Sequence, residues 1–331
     1  MTSESKPYSG DNADGAPLPA GGPNPPHSHS GPNPPHSPEP ETTAASAAPA
    51  GESLARDAWR RLSQNRAAMA SLALLIAIVV VCVIGPWLLP WGLAEVDWNA
   101  FGTGPTLDNA HFLGTDANGR DLLTRVLYGG RISLSVALVA SLVSLVIGVL
   151  YGAISGYLGG RVDNLMMRFV DIMYSLPFMF LVILLMVVFG RNIFLIYAAI
   201  GAVEWLDMAR IVRGQTLALK RREFIEAAHA LGVRDTKIVT RHLIPNAIGP
   251  VIIYVTLTVP KVILLESFLS FLGLGVQEPL TSWGVLISEG VDMMESAPWM
   301  LLVPSFFLAA TLFCLNFLGD GLRDALDPRT R

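Results

Sequence analysis

Residues 221–246 read RREFIEAAHALGVRDTKIVTRHLIPN. This is the longest charged interruption between apolar runs in the second half of the chain. Phe224, Ala228 and Leu231 stand at i, i+4 and i+7, so the spacing predicts one face of a short helix. Small residues at Ala227 and Ala228 let another backbone approach closely, which suits docking into a groove. Gly232 is a natural stop for that helix because it tolerates the left-handed conformation. Pro245, thirteen positions later, is expected to open the next helix at its first turn, where its missing N–H is not needed. The stretch predicts a short helix outside a bilayer, presented to a soluble partner.

The bilayer follows from composition. Of 331 residues, 52% are hydrophobic and only 15% charged, against about 25% charged in soluble domains. With a mean hydropathy of +0.48, this is the composition of an all-α protein crossing the membrane many times. About 20 apolar residues cross the hydrocarbon core. Six runs qualify, near residues 67–89, 132–157, 171–189, 193–211, 247–271 and 300–318. Six spans put both termini on one side. With the termini inside, 17 of the 23 basic residues fall in inner segments and 4 in outer ones, Arg210 and Lys261 lying within spans. That asymmetry predicts cytoplasmic termini in a multi-pass protein of the cytoplasmic membrane, and places the 221–246 loop in the cytoplasm.

Residues 1–52 read as a separate tail. They hold twelve of the 23 prolines and almost no large apolar residue, a composition that cannot offset chain entropy by burial. GPNPPHS occurs at 22–28 and again at 31–37, as in an extended linker. His27, His29 and His36 there are expected to be incidental rather than a metal site. No apolar core begins before about position 67, so the tail does not read as a signal peptide. Residues 53–331 are expected to form the membrane domain. Cys82 and Cys314 both lie in apolar runs and read as packing residues.

Several side chains inside the spans call for explanation. Gly148, Gly152, Gly156 and Gly160 recur every four residues and predict a helix face stripped for close packing. Pro177 is expected to kink the third span. Glu204 and Asp207 lie in the fourth, where a mid-bilayer carboxylate costs about 2.5–3.5 kcal/mol, so they must face protein or water. They suit either a water-filled passage favouring a cationic group or an interhelical contact. Lys261 and Glu266 are five apart, a poor spacing for pairing with each other, so each is expected to meet another span or subunit. These four are the candidate passage residues. Gly273, Gly275 and Pro279 break the fifth span, and Trp283 is a candidate interfacial anchor. Segment 283–297 would lie along the outer surface or dip back into the membrane.

None of the four lysines follows a glycine, and no GxxxxGK[ST] phosphate loop is present. ATP-driven transport would therefore draw its energy from another polypeptide. A secondary transporter driven by an ion gradient would use broken helices and carboxylates such as Glu204 and Asp207, but leaves the 221–246 loop unexplained. A membrane-embedded enzyme would need clustered nucleophiles or metal ligands, and neither HExxH nor GxSxG occurs.

The loop resembles the cytoplasmic segment of the membrane subunits of ABC importers, E-A-A, three residues, G, nine residues, I-x-L-P. Glu226, Ala227, Ala228, Gly232 and Pro245 match; Ile244 replaces the Leu and His242 stands where the pattern has Ile. Two further stretches resemble permeases of the dipeptide and oligopeptide importer family. One is HFLGTDANGRDLLTRVLYGGR, with His111, Gly114, Thr115, Asp116, Gly119, Arg120, Asp121, Arg125, Gly130 and Arg131. The other is the closing NFLGDGLRDALDPRTR, from Asn316 through Asp320, Arg323, Asp324 and Asp327 to Arg329, which reads as a short solvated inner helix bracing the same face as the loop. The first is expected to be a solvated, salt-bridged loop or a contact for a substrate-delivery protein.

The resemblance implies a six-helix type I ABC importer transmembrane domain forming half of a passage for di- or oligopeptides, with no catalytic residue or metal of its own. Nickel, haem and glutathione importers use similar subunits. The implied partners are a homologous second permease, two ABC ATPases that carry ATP and magnesium, an extracytoplasmic substrate-binding protein and the lipid bilayer; nucleic acid is not among them. In such a subunit Phe224, Ala228 and Leu231 would make the apolar contact with the ATPase, Glu226 the polar one, and Gly232 would let the chain turn away.

Overall fold

A computed structural model describes residues 54–107 and 109–326; the expected tail and the last residues of the closing motif lie outside them. The described chain is helical, its one β-feature being an isolated bridge between Thr115 and Asp121.

Polar caps start the main helices. α1, Leu54–Gln64, ends at Asn65, whose Oδ1 accepts from the Ala68 N–H and so opens α2, Arg66–Leu88. α3, Leu122–Leu158, is capped by Asp121, which accepts from the Thr124 N–H at 2.8 Å. At 37 residues it is about 55 Å long. It thus begins ten residues before the apolar run and stands well clear of the hydrocarbon on one side. α4, Gly160–Ser175, and α5, Phe178–Phe189, meet at a 77° bend. Pro177, which has no N–H to continue the ladder, sits at the break. The expected kink is therefore a full break between two helices, and the first of them begins at Gly160, not at Asp171.

α6, Ile193–Lys220, leads through a turn into α7, Glu223–Ala230. Next comes a continuous helix, Asp235–Leu274. It comprises α8, Asp235–Lys237, a wide π-helical stretch over Ile238–Leu243, α9, Ile244–Leu269, and a second π-helical stretch over Ser270–Leu274. Pro245 stands in the first turn of α9, as expected, but α9 continues a running helix and does not start a fresh one. The preceding wide turns accommodate the ring. Gly273, at φ 76°, ends it near where Gly273 and Gly275 were expected to. α10, Trp283–Asp292, and α11, Trp299–Leu326, complete the chain.

Among the described residues four helices are long and apolar enough to cross a membrane, α2, α3, Asp235–Leu274 and α11, or five with the bent α4–α5 pair. α6 carries the remaining expected span. Glu204, Asp207 and Arg210 fall in every 18-residue stretch of it, so apolarity alone does not mark it out. The six expected runs are thus all helical, one of them built to hold charge.

α3 is the central strut, and its longest contact is with α6. A Cβ at Gly148 would lie 2.5 Å from Met208 Cβ, one at Gly152 would strike the Ala209 carbonyl oxygen and sit 2.9 Å from the Arg213 nitrogen, and one at Gly156 would sit 2.9 Å from the Arg213 carbonyl oxygen. Three of the four expected packing glycines therefore seat α6 directly against α3. Gly160 does not. It follows the end of α3, has φ 58° and faces no neighbouring atom, so its role is to turn the chain.

Two other expectations change. Trp283 is no interfacial anchor: it is wholly buried, and its indole N–H donates to the Val126 carbonyl at 3.0 Å. Segment 283–297 accordingly forms α10 and the turn that follows it, with α10 packed on α11 and α3. The closing motif is the last part of the long α11 and not a separate solvated helix. Its described part, up to Leu326, packs on α1 and the start of α2, where Leu62, Ala68 and Ala325 form a small core.

Candidate functional site: the α7 helix and the charged cluster between α6 and α9

α7 is two turns long, too short to persist alone. It is held by a small core in which Ile225 and Ala228 bury against Tyr157, Ile238 and Leu243. Polar ties surround that core. The Tyr157 hydroxyl donates to Asp235 Oδ1 at 2.6 Å, and the Lys220 ammonium donates to the Tyr157 carbonyl at 2.6 Å. The His229 ring lies flat against Tyr157 at 6.0 Å. The ends of α3, α6 and α8 thus grip α7 together.

Its C-terminus closes as a Schellman motif. The Gly232 N–H donates to the His229 carbonyl and the Val233 N–H to that of Ala228, with Gly232 at φ 72°. The expected role of Gly232 as a stop is met in this geometry. The expected outward face is not. Ala228 turns inward, while Phe224, 43% exposed, and Leu231, 83% exposed, point out with Ala227 and Glu226. The open stripe is Phe224–Ala227–Leu231. Spacing alone could not separate it from the adjacent Ile225–Ala228 stripe, which is the one the protein keeps for itself.

Lys261, on α9, donates to Glu204 Oε2 at 3.1 Å and to Asp207 Oδ2 at 3.2 Å, both on α6. The sequence suggested either a passage or an interhelical contact for the two carboxylates; the geometry contains the contact. Glu266 stands apart. It is fully buried and accepts from Ser133 at 2.9 Å and Ser270 at 2.7 Å, joining α3 to the end of α9. Within this chain it does not face an open passage, in contrast to the expectation.

The loop before α3 is a packed cap rather than a solvated loop. Asp116, 1% exposed, accepts from Arg120 Nε at 2.7 Å and Arg125 Nη1 at 2.6 Å. Arg125 also makes a two-pronged contact with Glu289 on α10, and Arg120 reaches Glu278 at 2.9 Å. His111 lies between Asp121 and Asp97, its ring stacked on Trp91 at 4.5 Å. Although burial opposes the charge, the hydrogen bonds that Arg120 donates to the Asp116 and Glu278 carboxylates hold its guanidinium above its ordinary pKa.

Long apolar helices, a short helix gripped outside the bundle and a charged cluster between two of the helices define a polytopic membrane protein. The chain belongs to the family of binding-protein-dependent transport system inner membrane components, whose sequence profile matches residues 148–331. Residues 53–105 match the N-terminal TM domain of oligopeptide transport permease C. The chain is 58% identical over 281 residues to the oligopeptide transport system permease protein OppC of Escherichia coli strain K12, covering 85% of this chain and 93% of the relative. It is 57% identical to OppC of Haemophilus influenzae over 281 residues, 85% of this chain and 90% of that one. It is 45% identical to the dipeptide transport system permease protein DppC of Bacillus subtilis over 280 residues, 84% and 87% of the two chains. It is thus a permease subunit of the ABC importer class.

Proposed function

We propose that this chain forms half of the passage through which an ATP-driven importer moves di- and oligopeptides across the cytoplasmic membrane, with both termini in the cytoplasm. Its partners are a homologous permease, two cytoplasmic ATPases that bind ATP and magnesium, and an external binding protein that delivers the cargo. The orientation draws on the concentration of 17 of 23 basic residues in segments placed inside. Peptide cargo draws on the names of the relatives. Glu204, Asp207 and Lys261 are its passage residues.

The observation that carries the mechanism is the grip on α7. A short helix with an open apolar stripe, Phe224–Ala227–Leu231, is fixed to the ends of three long helices at once. Displacing α7 therefore displaces α3, α6 and the Asp235–Leu274 helix together. A closing ATPase dimer that binds α7 would turn the passage from one side to the other, as far as ATP binds the outward state better. Glu226, exposed beside the stripe, supplies a polar contact to the same partner.

The test is the double variant Phe224→Ser/Leu231→Ser in the assembled importer. Both side chains are exposed, so folding is expected to survive. Peptide uptake should fall by more than tenfold while the variant still reaches the membrane and its ATPases still hydrolyse ATP. Uptake at the wild-type rate would sink the assignment of this stripe.

A further inference from the structure

We infer that Glu204, Asp207 and Lys261 form a subsite for the cationic groups of the cargo, alkylammonium or guanidinium. Its preference is set by the net charge of the three. This rests on the reading of the chain as a peptide permease and deepens it.

Position comes first. Glu204 and Asp207 hold Lys261 from α6. Lys261 lies fourteen and ten residues from the two ends of the apolar run 247–271, about 21 and 15 Å. A lysine stem cannot snorkel that distance to a membrane surface. Yet the Lys261 side chain is 53% exposed and that of Asp207 36%, whereas Glu204 is 2% exposed. Half-open ionic groups at that depth do not face lipid, where each costs about 2.5–3.5 kcal/mol. Their open side faces water or the second permease, which is where the passage runs.

Charge decides what the open side attracts. Two carboxylates share one ammonium, leaving one negative charge in excess. The neighbouring cations of α6 are committed elsewhere: Arg210 pairs with Asp171 and lies over the Tyr174 ring, and Arg213 makes a two-pronged pair with Asp163. Tyr254, beside Asp207, offers a neutral hydroxyl and no charge. The two carboxylates differ in access. Glu204 is buried and fixed on Lys261; Asp207 is open. An arriving ammonium can therefore replace Lys261 on Asp207 while Lys261 keeps Glu204, and the four groups together are neutral. Each free peptide brings such a group at its N-terminus, and Lys or Arg side chains bring more. Acidic side chains are repelled by the excess charge.

The test is a ladder of net charge in the complete importer, reconstituted with its second permease, ATPases and binding protein. Initial uptake of a lysine-containing tripeptide is compared with that of a glutamate-containing one, each loaded to saturation on the binding protein. Wild type has cluster charge −1, Asp207→Asn zero and Lys261→Met −2. The double variant Glu204→Gln/Lys261→Met returns to −1 with no buried carboxylate left unpaired. The lysine-to-glutamate uptake ratio should fall about tenfold in Asp207→Asn, equivalent to about 1.4 kcal/mol. It should rise in Lys261→Met and return near the wild-type value in the double variant. A ratio that is the same in all four, or one that follows total activity rather than net charge, overturns the subsite and leaves the permease reading standing. A wild-type complex that imports neither tripeptide overturns both.

Discussion

The hydroxyl of Tyr157, in the last turn of α3, donates to Asp235 at the first turn of α8 across 2.6 Å, and the same ring carries His229 of α7 on its face. One side chain of α3 thus ties it to both α7 and α8, the bond to Asp235 spanning 78 residues. A bond to a carboxylate contributes about 1.5–3 kcal/mol, and the ring adds the packing under Ile225 and Ala228. Tyr157→Phe removes the first and keeps the second; Tyr157→Ala removes both. Peptide uptake per ATP hydrolysed should fall modestly in the first and drop several-fold in the second, with both proteins inserted normally. Equal coupling in Tyr157→Ala and wild type would show that α7 does not need this clasp.

The α3–α6 seam gives a stability prediction. At Gly152 an added Cβ meets the Ala209 carbonyl and the Arg213 nitrogen, both backbone. Backbone cannot swing aside as a side chain can. Gly152→Ala should therefore cost about 1–3 kcal/mol, the usual cost of overpacking, and Gly152→Leu should lower the yield of folded protein sharply. Gly214 on α6 is the control. It has nothing within 4 Å, so Gly214→Ala should be neutral or gain up to about 1 kcal/mol in helix propensity. Thermal unfolding of the purified variants separates the two positions.

The parts of this fold legible in the sequence were those set by local rules. Apolar runs of sufficient length became helices, the third of them broken at Pro177, and the one run interrupted by Glu204, Asp207 and Arg210 became the helix that carries charge. A glycine at the end of the α7 stripe became its left-handed stop. What stayed hidden depended on distant partners. Lys261 and Glu266 were correctly not expected to pair, but the partner of Lys261 lies 57 residues away on α6, where no spacing rule reaches. Trp283 looked like an anchor because its type favours interfaces. It is buried because Gly130 leaves a slot for it, a Cβ there lying 2.8 Å from the indole. The charged outer loop looked solvated, yet its arginines find carboxylates more than 150 residues on. Pro245 stands in the first turn of α9, as the rule for helix starts has it, but the π-helical turns before it, which no local rule foretells, make that turn a continuation.

Gly232 yields an order of variants rather than a single one. Nothing lies within 4 Å of its missing Cβ, so a larger side chain would not clash. The cost comes from φ 72°, which is about 1–2 kcal/mol for an ordinary residue and least for Asn. Coupling of ATP hydrolysis to uptake should therefore fall in the order Gly, Asn, Ala, Val, with Gly232→Asn near wild type. Insertion should be unchanged throughout. A Gly232→Val protein that couples as well as Gly232→Asn would mean that the Schellman closure is not what orients Leu231.

Arg125 tests whether the outer cap is a rigid piece. It is 1% exposed and divides its donors between Asp116 and Glu289, joining the loop before α3 to α10. Removing it leaves Asp116 buried with Arg120 alone, and Glu289 without this partner. Breaking a buried pair from one side costs about 3–5 kcal/mol, so Arg125→Met should lower the unfolding temperature and open the cap to protease. Arg125→Lys should rescue little, because an ammonium cannot make the planar two-pronged contact with Glu289 while reaching Asp116. The triple variant Arg125→Met/Asp116→Asn/Glu289→Gln removes the charge imbalance and should recover part of the loss. If the single and triple variants resist protease equally, the ion pairs do not hold the cap, and apolar packing around Trp283 must hold it instead.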